Sequence, residues 1–375
     1  MRSRTDRAYA QRRRHKYKKQ ILIPLIGTAA FLFAAFILYI CIFGFGASAE
    51  SFYKLDVTEE TSAAANSENV FYLSGSTLNC ADKKGDVLWS VKFTAGAANV
   101  SVGDNLICVY SSDFATVLDS KGNHLYTLPS GEFKTKSAAC GQNYTAFLSQ
   151  TENAQYLRVF DKEGSEIYRG EYPNTEILEY GFYGSNDMLY TLTLDTTGIS
   201  PVSRVSEVSP ASKTLTGTVE VSDQLVRDIK FLNTDMILCG TSTLAVYDNF
   251  GNQVDSKMIY GLTGSDSTIT ENGYIYAFLP KSISELTTSC TVRIIGSVSG
   301  NDIDTNIQLP PGVEGAYVSK DKLYAVLPQS VYVYKLTGEF EKAVEAPAQI
   351  TGVSKLSGDM LKINCSGDVY ILTLD

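Results

Sequence analysis

The chain has 375 residues, with 32 lysines and arginines against 41 aspartates and glutamates, and its net charge is −9. Residues 1–20 hold nine basic residues and one acid and so carry +8, which leaves −17 for residues 21–375. This acidic balance disfavours nucleic acids and other polyanions as partners. Only two histidines occur, His15 in the basic tail and His124, which excludes zinc sites built from several histidines and leaves His124 as the single possible base of a Ser-His-Asp triad.

The first 50 residues predict a single membrane anchor. Residues 21–49 contain no charged side chain, and a helix needs only about 20 apolar residues to cross the hydrocarbon core. The basic tail before them predicts a cytoplasmic N-terminus by the positive-inside rule. We therefore expect a cytoplasmic tail at 1–20, a transmembrane helix at 21–46 and an extracytoplasmic domain at 51–375, in a single-pass protein of the cell membrane.

Two other interpretations of this region stay open. Ala47-Ser48-Ala49 matches the A-x-A pattern of signal-peptidase cleavage, although the apolar run is much longer than the roughly 7–15 residues of a cleaved signal. The run Arg12-Arg13-Arg14 also fits a nucleic-acid or nuclear-localisation patch. Because this run lies directly before the predicted membrane helix, contact with anionic lipid headgroups is the favoured interpretation.

Past residue 50 one pattern recurs, a polar turn followed by a short apolar strand. Copies include Asp104-Asn105 before Leu106, and Gly358-Asp359 before Met360. Eight copies lie between residues 69 and 359, a period of about 41 residues, which is typical of a four-stranded propeller blade. We expect an all-β domain that forms a β-propeller of eight blades. Seven blades is the alternative, because residues 60–67 make a poor strand.

A second recurring element is a tight turn that begins with aspartate and ends with glycine. It occurs at 82–85, 119–122, 161–164 and 248–251. Aspartate starts such a turn by accepting hydrogen bonds from its own backbone, and glycine supplies the positive φ that closes it. These acids therefore predict turns, since a calcium loop needs more carboxylates at alternating positions.

The last repeat is incomplete. After Asp359 only two strands remain, at 360–365 and 368–374, so the final blade lacks its outermost strand. Residues 52–58 precede the first full blade and predict the missing strand. Such an exchange would close the ring and remove a free sheet edge.

The segment from Ala81 to Lys92, with Asp82, Gly85 and then Trp89 four residues later, resembles the repeat of quinoprotein-type propellers. Trp89 is the single tryptophan of the chain, so one tryptophan per blade is not seen. With its basic tail, one anchor and outer propeller, the layout also resembles uncharacterised membrane-anchored β-propellers of Gram-positive bacteria. The resemblance implies an architecture and supplies no activity.

Six cysteines lie beyond the apolar run, and their neighbours are apolar strand residues; they are Cys80, Cys108, Cys140, Cys239, Cys290 and Cys365. No C-x-x-C or cysteine/histidine spacing occurs. We expect free thiols that act as small buried hydrophobes, with one or more disulfides as the alternative. Metal ligation is disfavoured.

Candidate binding residues lie outside the regular strand pattern. Tyr180 and Tyr183 cluster beside glycines in a segment that we expect to be irregular. Two connections are longer than the rest, at 194–201 and 280–288, and they supply Asp195, Lys281 and Glu285. Both follow the second strand of a blade, so both are expected on one face of the propeller.

These features predict a binding or scaffolding module of the cell envelope, with another protein as its partner, no metal, no cofactor and no catalytic residue. One alternative is an enzyme, either quinoprotein-like or glycan-acting, which would need a cluster of charged residues in the central channel. Another is an envelope sensor that signals through its short tail. Fold class does not select among them, because function resides in the site.

Overall fold

The computed structural model describes residues 51–374 except 59–60, 94–95, 97, 130, 153, 174 and 282–289. Within these residues the chain forms eight antiparallel sheets of four strands each. The predicted eight-bladed propeller is therefore confirmed, and the seven-bladed alternative is wrong. The predicted tail at 1–20, the helix at 21–46 and Ala49 lie outside the described residues. Within the described part of the chain, no helix has the length and apolarity that a membrane span requires.

The first strand of the domain belongs to the last blade, and the following sixteen strands form four blades in chain order. They are β1 (Phe52–Leu55); β2 (Ala63–Ala65), β3 (Asn69–Ser74), β4 (Thr77–Asp82) and β5 (Val87–Lys92) in blade 1; β6 (Asn99–Val102), β7 (Leu106–Tyr110), β8 (Ala115–Asp119) and β9 (His124–Leu128) in blade 2; β10 (Lys134–Cys140), β11 (Thr145–Gln150), β12 (Gln155–Phe160) and β13 (Glu166–Tyr172) in blade 3; and β14 (Glu176–Tyr183), β15 (Met188–Asp195), β16 (Val202–Ser209) and β17 (Thr214–Val221) in blade 4.

The remaining strands complete the ring. They are β18 (Val226–Leu232), β19 (Asp235–Gly240), β20 (Thr243–Tyr247) and β21 (Gln253–Met258) in blade 5; β22 (Leu262–Thr270), β23 (Gly273–Pro280), β24 (Cys290–Val298) and β25 (Asn301–Leu309) in blade 6; β26 (Gly315–Ser319), β27 (Lys322–Leu327), β28 (Ser330–Lys335) and β29 (Phe340–Glu345) in blade 7; and β30 (Ile350–Ser357), β31 (Met360–Cys365) and β32 (Asp368–Thr373), with β1, in blade 8.

The first strands of neighbouring blades contact one another, as β14 does with β18 and β18 with β22, so these strands line the central channel. Because every sheet is antiparallel, the connections between second and third strands lie at the same end of the ring as those between blades. We call this end the loop face. The opposite end carries the tight turns within blades and is called the turn face.

Residues 52–55 close the ring as predicted. β1 pairs antiparallel with β32, and the register places Phe52 opposite Leu372 and Leu55 opposite Val369. The strand ends at Leu55, so residues 56–58 of the predicted segment belong to the connection into blade 1. Since Phe52 lies beside the end of β32, the chain joins the ring at the turn face.

The strand β2 corrects the expectation for residues 60–67. Ala63 to Ala65 have weak strand propensity, yet they pair with Val70 to Tyr72 in β3. The first strand of blade 1 is therefore set by pairing with a buried neighbour rather than by its own sequence.

The predicted aspartate turns form with the expected chemistry. Asp119 accepts hydrogen bonds from the backbone N–H of Lys121 at 2.9 Å and of Asn123 at 2.8 Å. Gly122 closes the turn at a φ of 83°. These turns join the third and fourth strands of their blades.

The turn glycines also hold neighbouring blades together. A Cβ on Gly122 would lie 3.0 Å from the ring of Trp89, which belongs to the outer strand of the preceding blade. Tyr126 occupies the same position against Gly164, and Val219 does so against Gly251. The single tryptophan thus marks one of several equivalent inter-blade contacts, which the other blades make with smaller side chains.

Candidate functional site

The channel holds a cavity of about 620 Å³ between blades 5, 6 and 8. Its wall is formed by the inner strands β18, β22 and β30, and Gly240 and Thr241 line it from the loop face. Four charged side chains of the wall form two ion pairs, Asp228 with Lys230 and Asp266 with Lys355. The cavity is therefore polar and charged at its centre.

Lys355 joins three blades. Its Nζ lies 2.6 Å from Oδ2 of Asp266 and donates to the carbonyl oxygens of Ser267 at 2.9 Å and Val318 at 3.0 Å. The N–H of Val318 donates to the same Asp266 oxygen at 2.8 Å. All three ammonium hydrogens are thus used within the protein, and the pair ties blade 8 to blades 6 and 7.

The second pair is extended by tyrosines. Asp228 binds Lys230 and accepts a hydrogen bond from the Tyr276 hydroxyl at 2.8 Å. In blade 4, Glu179 accepts one from the Tyr190 hydroxyl at 2.9 Å and lies within electrostatic reach of Lys230. This second group joins blades 4, 5 and 6 around the channel.

Burial dominates the protonation of these groups. Desolvation raises the pKa of Asp266 and of Glu179 above their usual values, although neighbouring lysines oppose it. Desolvation likewise lowers the pKa of Lys355 against the attraction of Asp266. For Lys230, burial acts to lower the pKa, but Asp228 and Glu179 leave it raised. The channel charges therefore depend on one another for their ionised states.

The chemistry open to this cluster is limited by its own bonds. A charged cluster in the channel is what the enzyme alternative requires, and it is present. Lys355 has no N–H left for a ligand, however, and the two oxygens of Asp228 are bonded to Lys230 and Tyr276. Among the described residues, no group of three or more His, Cys, Asp or Glu side chains is placed to hold a metal ion.

The loop face around the channel mouth offers more accessible groups. Ile199, in the connection after β15, is fully exposed, and Tyr260, between blades 5 and 6, is 82% exposed. Arg227 is exposed at the start of β18 and lines the cavity. A rim of apolar and charged side chains thus lies on one face of blades 4 to 6.

The structure places two of the predicted loop residues on this face. Asp195 ends β15 and accepts hydrogen bonds from the Thr197 hydroxyl at 2.6 Å and backbone N–H at 2.9 Å, which lower its pKa. Exposed Lys281 follows β23, and its backbone N–H donates to the Gly261 carbonyl at 3.1 Å. Glu285 lies outside the described residues. Blade 5 separates Asp195 from Lys281, and their role in binding stays a prediction.

The predicted irregular segment at Tyr180 and Tyr183 is instead the regular inner strand β14. The Tyr180 hydroxyl bonds to the Ser137 hydroxyl at 2.7 Å and accepts from the N–H of Leu148, and burial raises its pKa. The Tyr183 ring stacks on Phe231 at 3.7 Å between centroids. Both tyrosines contact neighbouring blades, so packing accounts for their position, and a binding role for them stays a prediction.

Sequence reasoning missed the channel cluster. The signal was present as charged residues inside inner strands, for example Asp228 and Lys230 on either side of buried Ile229. Nothing in one strand shows which residue of another blade it faces, because those partners lie tens of residues away.

Comparison with known proteins identifies the family. A family model described as a family of unknown function, DUF5711, matches residues 47–360. The chain belongs to this family. A search of curated proteins finds no relative.

Solved structures similar to this DUF5711 member include BamB and two WD40 domains. BamB from Moraxella catarrhalis matches with a TM-score of 0.55 and 10% identity, covering 87% of this chain and 97% of that one. The WD40 domain of SCAP from fission yeast matches with a TM-score of 0.59 and 9% identity, covering 88% of this chain and 96% of that one. The C-terminal WD40 domain of Sif2 matches with a TM-score of 0.54 and 11% identity, covering 87% of this chain and 100% of that one. At these identities the likeness shows the fold alone.

Proposed function

We propose that this protein is a single-pass, membrane-anchored propeller whose extracytoplasmic domain binds a protein partner of the cell envelope through the loop face. The charge pattern of residues 1–49 supports the anchor and its orientation. The ring joins its N-terminal segment at the turn face, where Phe52 lies. The loop face is the opposite end of the ring.

The observation that carries the proposal is the exposed rim of blades 4 to 6. Ile199 and Tyr260 leave large apolar surfaces in water on the same face, which also carries the exposed cations Arg227 and Lys281. Tyrosine and arginine are enriched at interface centres, and binding residues are commonly carried on loops held by a rigid scaffold. A rim of this composition fits a protein surface.

The enzyme alternative has one observation in its favour, the charged channel cluster. We favour binding because the ion pairs of that cluster bond to each other and to the backbone. The substitution Asp228→Asn separates the two functions, since the Asp228 side chain bonds to Lys230 and Tyr276 in the channel and is not part of the exposed rim. A sugar or alcohol turnover lost in this variant at unchanged melting temperature would establish the enzyme alternative instead.

The topology is tested in wall-stripped cells. Added protease should degrade the domain at 51–375 and spare the tail at 1–20, and a C-terminal tag should be accessible. A protected tag would contradict the orientation. A mature protein that begins at Glu50 would contradict the anchor.

The binding face is tested by crosslinking in whole cells and identification of co-purified proteins. The double substitution Ile199→Ser and Tyr260→Ser should reduce capture of the partner several-fold without changing stability, because exposed positions usually shift folding by under about 0.5 kcal/mol. Phe250→Ser is the matched control, since Phe250 is equally exposed at 82% but lies in a turn of the opposite face. Equal capture by all three proteins would move the site away from the loop face.

A further inference from the structure

Two thiols from neighbouring blades lie side by side. Cys108 belongs to β7 in blade 2, and Cys140 ends β10 in blade 3. The Cys140 Sγ lies 3.5 Å from the carbonyl oxygen of Ser101, and Ser101 pairs in register with Cys108. The neighbouring Cys140 contributes to the raised pKa of Cys108, and Cys140 packs against the apolar cluster that contains Cys108.

The close approach is built into the backbone. Gly103 follows β6, and a Cβ at this position would clash with the carbonyl groups of Cys140 and Gly141. Only a residue without a side chain lets the end of β6 approach β10 so closely. The distance between blades 2 and 3 is therefore fixed at the point where the two cysteines meet.

The other described cysteines are not placed in this way. Cys80, Cys239, Cys290 and Cys365 are buried, and each packs in a different apolar cluster. Cys108 and Cys140 are thus the one pair within the described residues that shares a cluster.

The two thiols differ in access. Cys108 has no exposed surface, whereas Cys140 is partly exposed. A reagent from solution reaches Cys140 first. Burial, together with the neighbouring Cys140, raises the pKa of Cys108 well above its usual value, so Cys108 is a poor nucleophile at neutral pH.

We propose that Cys108 and Cys140 form a disulfide that cross-links blades 2 and 3 when the protein meets a disulfide oxidant. The Cys140 thiolate attacks one sulfur of the oxidant, forming a mixed disulfide and releasing one thiolate. The Cys108 thiolate then attacks the Cys140 sulfur and releases the second thiolate. The protein loses two electrons and two protons, and the oxidant is reduced to two thiols.

The cross-link would act on the unfolded chain as well as on the ring. It closes a loop of about 30 residues and so reduces the conformational freedom of the unfolded state. It would also fix the second strand of blade 2 to the inner strand of blade 3. We expect a higher melting temperature for the oxidised protein.

The test uses the full-length chain in detergent with oxidised glutathione as the oxidant, followed by peptide mapping without reduction. We expect one cross-linked peptide pair, containing Cys108 and Cys140, and a melting temperature raised by several degrees. Higher pH should speed the step in which Cys108 displaces glutathione. Seven unmodified thiols, glutathione retained on Cys140, or a cross-link through another cysteine would each overturn the proposal.

Single-cysteine variants test which thiol reacts first with glutathione and which one displaces it. Cys108→Ser should accumulate glutathione on Cys140, and Cys140→Ser should remain unmodified at Cys108. Cys290→Ser is the matched control, because Cys290 is buried in another cluster, and it should form the cross-link as the unaltered chain does. If a variant does not fold, the peptide map of the unaltered chain decides by itself.

Discussion

Lys355 connects the inner strand of blade 8 to those of blades 6 and 7. Its side chain is 18% exposed and that of Asp266 is 9% exposed, so both charges have lost most of their water. A buried pair adds little stability over a well-packed apolar pair, but removal of one partner leaves an uncompensated charge. Here the loss would also leave the Ser267 and Val318 carbonyl groups without their donor.

Lys355→Met is therefore expected to lower the free energy of unfolding by roughly 3–5 kcal/mol. Lys54→Met is the control, since Lys54 pairs with Asp368 at 2.8 Å but more than half of its side chain is exposed; exposed pairs contribute little. Urea unfolding of both variants measures the difference. A small effect for Lys355→Met, equal to that of the control, would show that the pair is not structural.

Gly103 gives a second prediction for a single residue. Gly103→Ala forces a methyl group against backbone carbonyl groups that cannot rotate away, so we expect destabilisation of about 1–3 kcal/mol. Gly358 lies in the equivalent turn of blade 8, and a Cβ there would meet open space. Gly358→Ala should therefore leave the stability nearly unchanged. Thermal unfolding distinguishes them, and equal melting temperatures would contradict the close approach of blades 2 and 3.

Among the structural elements, those set by local chemistry were predictable. The aspartate turns and the polar turns before each second strand depend on residues a few positions apart, so one repeat contains the whole signal. The fourth strand of blade 8 was predictable by counting, because two strands were left over and Phe52–Leu55 matched the strand pattern.

Elements set by their contacts with other strands were not predictable. Ala63–Ala65 forms a strand because β3 offers a partner. The segment with Tyr180 forms a strand because it pairs with β15. The two cysteines of blades 2 and 3 likewise meet only in the ring. In each case the deciding contact is made with another strand, and a period of about 41 residues does not specify that contact.

Glu166, in the hairpin of β12 and β13, is expected to make the stability of the fold depend on pH. Burial would raise the pKa of Glu166, but hydrogen bonds from Arg169 at 2.6 Å and Arg158 at 2.7 Å outweigh it and hold the pKa below its usual 4.5. The carboxylate therefore contributes stability that is present above about pH 4.5 and is lost as the pH falls through the lower folded value.

Glu166→Gln should thus lower the melting temperature at pH 7, and the gap to the unaltered chain should shrink as the pH falls below about 4. Melting curves at several pH values measure this gap. A gap that stays constant with pH would assign the loss to packing rather than to charge.

In the whole molecule, closure of the ring depends on β1, which completes blade 8. Leu55 is fully buried, and Phe52 contacts the Tyr370 ring edge-on. Deletion of residues 51–58 exposes the edge of β32, so we expect a melting temperature lower by several degrees, or aggregation. Deletion of the exposed residues 197–200 removes a loop and should be tolerated. A ring equally stable without 51–58 would contradict closure by β1.

The two faces of the ring were predictable from strand order. The binding residues proposed on the loop face were predictable only in part. Placing the long connections after second strands assigns Asp195 and Lys281 to one face. The exposure of Ile199 and Tyr260 and the cluster of charges in the channel depend on how eight blades meet. No single repeat encodes that arrangement.

Site-specific photocrosslinking in whole cells tests the central claim most directly. A photoreactive residue placed at Ile199 or at Tyr260 on the loop face should yield an adduct with the same envelope protein, whereas one at Phe250 on the turn face should yield none. Adducts at Phe250 with none at the two loop-face positions would contradict binding through the loop face.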